Sequence, residues 1–194
     1  MPGQGFPRLV SLACHDLRTP LATVNGFAKT LTRAGTLGER ESHFVDLIEA
    51  AAGQMTSLLD VLGLAARIES GRYEPVLSEG DTLELATSED DRVAAEGNGE
   101  TIATDAAVVR RSLEALARCA MLHGGVPRVT WQVAGRELTL SPLNGDVGEI
   151  LLGESPRDLG ALVARLAIES LGGSLAVDGE TLRVKLSTRS PSDS

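Results

Sequence analysis

Cysteines, aromatic residues and long apolar runs are scarce in this sequence of 194 residues. Its two cysteines, Cys14 and Cys119, lie far apart, so the sequence shows neither a disulfide framework nor a spacing typical of metal sites. One Trp, one Tyr and three Phe leave the core to Leu, Val and Ala, which favours packed helices. No run of about 18 apolar residues predicts a membrane span, and the first ten residues lack the apolar centre of a signal peptide. We therefore expect a reduced, cytoplasmic protein with no membrane partner and no sensor segment before its first helix.

Basic residues are also fewer than acidic ones, 18 against 27. The formal net charge is -9 at pH 7, which argues against nucleic acid and anionic membranes as partners, because both are bound through clustered Lys and Arg. Residues 1–38 are the exception, since they hold four basic residues and only one acid, Asp16. The four are Arg8, Arg18, Lys29 and Arg33. The N-terminal segment is thus the basic part of an acidic chain.

Two apolar stripes, each with alternating four- and three-residue steps, predict two long helices. The first stripe comprises Val10, Cys14, Leu17, Leu21, Val24, Ala28 and Leu31, and the second comprises Phe44, Ile48, Ala51, Met55, Leu58, Leu62 and Ala65. "RAGTLGERE" connects the helices, and the second is expected to end at Gly71. A lone hairpin buries such stripes poorly, so we expect two copies to pair into a four-helix bundle, a homodimer. The alternative is that the hairpin packs on the rest of its own chain.

The pattern changes near residue 75 to short strands with two further helices. One helix, residues 105–123, is expected to start after Thr104 as N-cap and stop at Gly124-Gly125; the other opens with Ser155 as cap and Pro156 at its first position and closes on two glycines. Two strand pairs turn at Gly135-Arg136 and at Asp178-Gly179. The order predicts an α+β sandwich over residues 76–188, with helices on one sheet face. Residues 189–194 are expected to form a disordered tail.

His15 lies beside the first stripe and is therefore expected to face solvent. Arg18 and Thr19 follow one helical turn later on the same side, and Asp16 lies about a quarter-turn around the helix. An exposed imidazole is a nucleophile near neutral pH, and an adjacent carboxylate orients it or accepts its proton. Pro20 cannot donate to the Asp16 carbonyl, which predicts a bend that exposes the His15 turn.

The strings "HDLRTPLATVNGF" and "LLDVLGLAARIESGR" resemble the dimerisation and histidine-phosphotransfer domain of two-component histidine kinases, over residues 6–75. The resemblance implies that His15 carries a phosphoryl group and that Asp16 assists its transfer. It further implies that Asp16 and Thr19 form the D-x-x-T pattern that these domains use to dephosphorylate a receiver. Pro20 matches the family's helix-bending proline.

Residues 76–188 resemble the ATP-binding domain of the same kinases in element order, but the nucleotide contacts depart from the family's. Where the family has Asn residues that hold Mg²⁺, this chain has Arg118 and Cys119, and a thiol is a poor ligand for that ion. No D-x-G-x-G motif is present, and Leu143 or Asn144 stands where the acid belongs. The motif is matched only in part, by Gly145, Asp146 and Gly148.

Two more nucleotide-binding features are reduced. The segment from Gly145 to Ser155 is too short for the usual lid, and the last glycine box keeps only Gly160 inside it. We therefore expect a degenerate ATPase-like domain that binds neither ATP nor a metal. The alternative is a divergent but active nucleotide site.

These features together predict a histidine phosphotransferase that relays phosphoryl groups between response-regulator receiver domains through His15, similar to ChpT-type and sporulation-type phosphotransferases. No cofactor is expected on this chain, since the receiver's acidic pocket supplies Mg²⁺. Arg8, Arg18 and Lys29 suit docking to that pocket, unless they are solvated helix charges. His43 and His123 have no comparable context and are expected to be bystanders.

Three other functions remain open from the sequence. Asp16 and Thr19 would serve a receiver phosphatase. A non-enzymatic pseudokinase would bind and inhibit a kinase or receiver through the bundle. A divergent active histidine kinase would phosphorylate His15 from ATP.

Overall fold

A computed structural model of the chain describes residues 5–34, 37–155 and 157–188, apart from the side chains of residues 5–9, 11–13, 16 and 34. The chain divides into two compact units, Met1–Tyr73 and Glu74–Ser194. The division falls two residues before the boundary drawn from the sequence. Pro156 and the expected disordered tail at 189–194 lie outside the described residues.

The first unit is a hairpin of two long helices, α1 (Gly5–Ala34) and α2 (Glu39–Glu69). Helix α1 continues across Pro20, so a bend there stays a prediction. Helix α2 ends where the sequence indicates: the Ser70 N–H donates to the Ala66 carbonyl, and Gly71 takes the left-handed conformation with φ of 66°.

The two helices bury faces that repeat every seven residues. Cys14 and Ala28 are buried on α1, with Leu21 half-buried between them. The buried positions of α2 at the same spacing are Val45, Ala52, Leu59 and Ala66. The hairpin's own seam on α2 therefore differs from the predicted stripe, which is offset from it and exposed at Phe44, Ile48, Ala51, Met55 and Leu58. Ala28 and Ala52 at the seam allow close approach of the helices, and the exposed residues of the predicted stripe lie on a neighbouring face of α2.

The second unit combines a sheet with helices. Its strands are β1 (Ser78–Asp81), β2 (Val93–Gly99), β3 (Thr101–Thr104), β4 (Val129–Gly135), β5 (Glu137–Ser141), β6 (Ser174–Asp178) and β7 (Thr181–Lys185). Its helices are α3 (Thr82–Ala86), α4 (Ala106–Gly124), α5 (Val147–Leu151) and α6 (Leu159–Ser170). Five strands form a sheet in the order β2-β4-β5-β7-β6, in which only β2 and β4 run parallel, and β1 pairs with β3 separately.

One face of the five-stranded sheet is buried, and the helices cover it. Alternate residues of β4, β5 and β7 are fully buried: Val129, Trp131, Leu138, Leu140, Leu182 and Val184. The helices contribute Val109, Leu113, Leu116, Leu151 and Ile168 to the same core. The predicted α+β sandwich is confirmed, as are both hairpins, β4–β5 and β6–β7.

The helix caps differ from those predicted. Asp105, not Thr104, caps α4, because its carboxylate accepts from the Val108 N–H while Thr104 ends β3. Asp158, not Ser155, caps α6 through the Ala161 N–H at 2.8 Å. A carboxylate adds its charge to the helix dipole, which favours Asp at both places.

Helix α2 is relevant to the prediction that no segment of the chain spans a membrane. Over 18 residues its mean hydropathy reaches 1.2, which makes it long and apolar enough to cross a membrane by length and composition alone. A core helix of a soluble protein passes the same test, so one such helix in the described part of the chain is weak evidence for a span. Cytoplasmic localisation stays a prediction.

Candidate functional site

His15 is exposed on α1, as its position beside the apolar stripe predicts. The preceding residue, Cys14, is only 3% exposed and anchors this turn in the hairpin seam. Burial of one residue and exposure of the next follow from the 100° step of the helix. The imidazole is therefore presented to solvent from a turn that is fixed against α2.

An ion pair adds to that anchoring. Arg18 Nη2 donates to Asp60 Oδ1 of α2 at 2.7 Å, and the two side chains are 44% and 38% exposed. The guanidinium passes over Gly63 of α2, where a Cβ would lie 3.6 Å from Arg18 Nη2, in ordinary van der Waals contact. Arg18, predicted to dock a partner, is thus already paired inside the hairpin.

Thr19 is exposed one turn after His15, and its carbonyl accepts from Thr23 Oγ1 at 3.1 Å. The helical repeat places Thr19 about 40° from His15, so the structure brings these two predicted residues to one face. The side chains of Arg8 and Asp16 lie outside the described residues. Lys29 is exposed but 14 residues further along α1, about 21 Å along the axis, and so is separated from the His15 turn.

An apolar groove of about 380 Å³ runs beside this turn. It is lined by Leu17, Pro20, Leu21, Val24, Met55, Leu58 and Leu59. Pro20 therefore contributes its ring to an exposed apolar face of the hairpin. This contact is additional to the backbone effect that the sequence predicts for Pro20.

In the second unit, α4 and α6 meet where the sequence departs from the kinase pattern. Cys119 on α4 is 0% exposed, and burial raises the pKa of its thiol to about 12, helped by the charge of Asp158. His123 Nε2 lies 3.3 Å from Asp158 Oδ2, at the start of α6. His123, expected to be a bystander, thus joins α4 to the cap of α6. The sequence carries one partial signal, the four-residue step from Cys119, which places both side chains on one helix face but does not identify Asp158 as a partner.

Gly160 shows how closely the two helices approach. A Cβ at Gly160 would lie 3.5 Å from the Ala115 Cβ and 3.5 Å from Arg118 Nη2, both on α4. The single glycine kept from the family's glycine box therefore sits in direct helix packing.

A separate cavity of about 540 Å³ opens on another side of α4. Its charged lining consists of Arg110, Arg118, Glu89, Asp90 and Glu114. Three carboxylates face two guanidinium groups, so the charged lining carries no positive excess for a polyphosphate.

Comparisons with known proteins find similarity in the segment that carries His15. Residues 8–71 match the family described as "His Kinase A (phospho-acceptor) domain". The hairpin segment is similar to the phospho-acceptor domain of histidine kinases. Over 65 residues, 34% of its length, the chain is 35% identical to "Probable sensor histidine kinase TcrY" of Mycobacterium tuberculosis (strain ATCC 25618 / H37Rv). It spans only 14% of that relative.

Solved structures extend the likeness of fold to both units. A full-length structure of ShkA, described as in complex with AMPPNP, aligns with 94% of this chain and 47% of its own at a TM-score of 0.68 and 17% identity. The Acinetobacter baumannii histidine kinase AdeS aligns with 91% of this chain and 98% of its own, at a TM-score of 0.57 and 17% identity. The predicted fold, a phospho-acceptor hairpin followed by an ATPase-like α+β unit, is confirmed.

Proposed function

We propose that this chain carries a phosphoryl group on His15 and exchanges it with receiver domains of response regulators, without being loaded from ATP. The observation that carries the proposal is the exposed His15 on an anchored turn of α1, inside the segment that matches the phospho-acceptor family. The relatives support histidine-kinase-like chemistry at this residue, and the second unit supports a donor other than ATP.

The transfer is an in-line displacement at phosphorus. The unprotonated ring nitrogen of His15 attacks the aspartyl phosphate of a receiver, so that a P–N bond forms as the P–O bond breaks and the aspartate leaves as a carboxylate. Asp16 orients the imidazole or takes its remaining ring proton. Mg²⁺ in the receiver's acidic pocket neutralises the phosphoryl oxygens, and the reverse reaction loads a second receiver.

Three features of the second unit support a nucleotide-independent role. Arg118 and Cys119 replace oxygen ligands for Mg²⁺, and α6 packs on α4 at Gly160. The 540 Å³ cavity presents more carboxylates than guanidinium groups to a polyphosphate anion. Each of these features disfavours Mg-ATP.

The exposed apolar face of the hairpin supports a homodimer. Leu17, Val24, Met55 and Leu58 are each about half exposed and line one groove together with Pro20. Soluble monomers rarely expose such contiguous apolar surface. A second copy of the hairpin, with the same heptad spacing, would cover it as a four-helix bundle.

Docking of the receiver would use the basic end of the chain. Arg18 is held by Asp60, and the acids of a receiver pocket compete with Asp60 for its guanidinium. Arg8 precedes His15 by seven residues in the chain, whereas Lys29 follows it by 14 residues and would contact only the edge of a bound receiver. These contacts are proposed to speed the encounter rather than to perform chemistry.

The experiment mixes the full chain with phosphorylated receivers and follows labelled phosphate. We expect an acid-labile label on the chain that disappears in His15→Gln and persists in His43→Gln, which changes an exposed histidine of α2. Failure of every cognate receiver to label the wild-type chain would reject the proposal. Full activity of His15→Gln in cells would instead indicate a non-enzymatic pseudokinase.

Receiver dephosphorylation is the second candidate, because Thr19 is exposed on the face of His15 in the D-x-x-T pattern. Thr19→Ala should then prolong the phosphorylated lifetime of the receiver and leave labelling of His15 intact. Thr23→Ala, one turn further on, is the matched control. An unchanged receiver lifetime in Thr19→Ala rejects the phosphatase.

A further inference from the structure

We propose that Cys119, His123 and Asp158 bind a zinc ion that clamps α4 to α6. The Cys119 thiol, a ring nitrogen of His123 and a carboxylate oxygen of Asp158 all lie within 4.8 Å of one another. Cys119 and His123 lie on α4, and Asp158 caps α6. His123 and Asp158 are 35 residues apart in the chain. This site is independent of the phosphotransfer proposed for His15.

The spacing of the donors suits a tetrahedral ion. Zinc–sulfur and zinc–nitrogen bonds of about 2.3 and 2.0 Å place tetrahedral ligand atoms roughly 3.3–3.8 Å apart. His123 Nε2 and Asp158 Oδ2 already have that separation, at 3.3 Å. The two pairs that include Cys119 Sγ are at most 4.8 Å apart. Small adjustments of the Cys119 side chain and of the partly exposed His123 would close them by up to about 1 Å.

The donor types select the metal. Thiolate, imidazole and carboxylate are the ligands of zinc, whereas Mg²⁺ and Ca²⁺ take oxygen ligands. Thiolate and carboxylate together bring two negative charges to a doubly charged ion. Coordination displaces the thiol proton to solvent, as in other thiolate sites.

The surroundings orient the ligands and leave a path for the ion. Asp158 Oδ1 accepts from the Ala161 N–H at 2.8 Å, which fixes the carboxylate and leaves Oδ2 directed at His123. Cys119 closes the inner side of the site at 0% exposure, while the His123 and Asp158 side chains are 25% and 16% exposed. The fourth coordination position therefore faces the solvent side, where water completes the tetrahedron.

Zinc binding would stabilise the contact between α4 and α6 in the second unit. Helices α4 and α6 are the pair that pack together at Gly160, so an ion bridging them stabilises this closed arrangement. Zinc would then hold together the two helices that carry the altered metal and glycine positions of the kinase pattern.

The test titrates the metal-free full chain with Zn²⁺ by calorimetry and with Co²⁺ by absorbance, where a thiolate–cobalt charge-transfer band reports the sulfur ligand. We expect one ion per chain, and affinity at least about 100-fold weaker in Cys119→Ser, His123→Gln and Asp158→Asn, because loss even of a residue that only orients a ligand costs 10–100-fold. Asp158→Asn keeps an acceptor for the α6 cap, and His123→Gln changes a partly exposed side chain, so neither result depends on repacking the core.

Cys14→Ser and His43→Gln serve as controls, since both residues belong to the hairpin unit. They should leave zinc binding and the cobalt band unchanged. Absence of zinc binding in the wild type, or unchanged affinity in His123→Gln and Asp158→Asn, would overturn the proposal.

Discussion

Single side chains fix how α1 presents His15. Cys14 is buried in the seam, and Arg18 reaches across to Asp60 on the neighbouring helix. An exposed ion pair of this kind contributes about 0–1 kcal/mol, so its value lies more in orienting the turn than in stability. A receiver that binds through its own acids can therefore displace Asp60 at small cost.

Pro20 provides a residue-scale test of function against stability. Pro20→Ala restores a backbone donor in the middle of α1 and should raise the free energy of unfolding by up to about 3 kcal/mol. The phosphotransfer rate should fall, because the proposed bend beside His15 is lost. Thermal unfolding and single-turnover transfer measure the two effects.

Gly26→Ala is the control for that variant. A Cβ at Gly26 meets nothing within 4 Å, so this change should stabilise α1 by about 0.5–1 kcal/mol and leave transfer unchanged. An unaltered transfer rate in Pro20→Ala would mean that the proline has no role in presenting His15.

Asp90 provides a test of pH dependence. Hydrogen bonds from Arg92 hold the pKa of this carboxyl at about 2, below its ordinary value of 3.8. A carboxyl with a lowered pKa in the folded state stabilises it above the ordinary pKa, and that contribution is lost as pH falls from about 4 to about 2. Titration of the Asp90 carboxyl carbon by nuclear magnetic resonance should show the low midpoint, and Arg92→Gln should move it back toward 3.8. Equal midpoints in both proteins would contradict the assignment to Arg92.

At the scale of elements, the hairpin divides its apolar residues between two faces. Ala28 and Leu59 are buried where α1 packs against α2, while Leu58 lies on the exposed face. The buried face holds the hairpin together, and the exposed face is the one proposed to contact a second copy. The exposed stripe is thus the structural basis of the proposed dimer.

Leu58→Lys tests that face. Full burial of a leucine contributes about 1.5–3 kcal/mol, and Leu58 is already about half buried in the single chain. Because each dimer loses two such contacts, about 1.5–3 kcal/mol in all, the dissociation constant of the dimer should rise by at least about 10-fold. Light scattering with size-exclusion chromatography should give a dimer for the wild type and a monomer for the variant. Gln54→Lys, at an exposed polar position of the same helix, should remain dimeric. A monomeric wild type, or a dimeric Leu58→Lys, would contradict the bundle.

Sequence reasoning predicted most of the elements and fewer of their contacts. Heptad spacing and alternating strands around Gly135 and Gly179 identify the long helices and both hairpins, because these signals are local. The five-residue helices α3 and α5 were not predicted, since so short a segment carries little periodicity. The pairing of His123 with Asp158 was also missed, because it joins positions that only the tertiary fold brings together.

At the scale of the whole molecule, the chain joins a basic N-terminal segment to an acidic remainder. Residues 8–71 match the phospho-acceptor family, and the second unit has a fold similar to that of the solved kinase structure. The proposed function is that another protein, and not ATP, loads His15. That division of labour is the central claim.

The most direct measurement compares two donors on the same wild-type chain. One sample receives radiolabelled Mg-ATP alone, and the other receives a receiver that already carries the label on its aspartate; acid-labile label on His15 is followed in both. The account predicts labelling from the phosphorylated receiver and none from ATP. Labelling of His15 by ATP alone would contradict it and identify an autophosphorylating kinase.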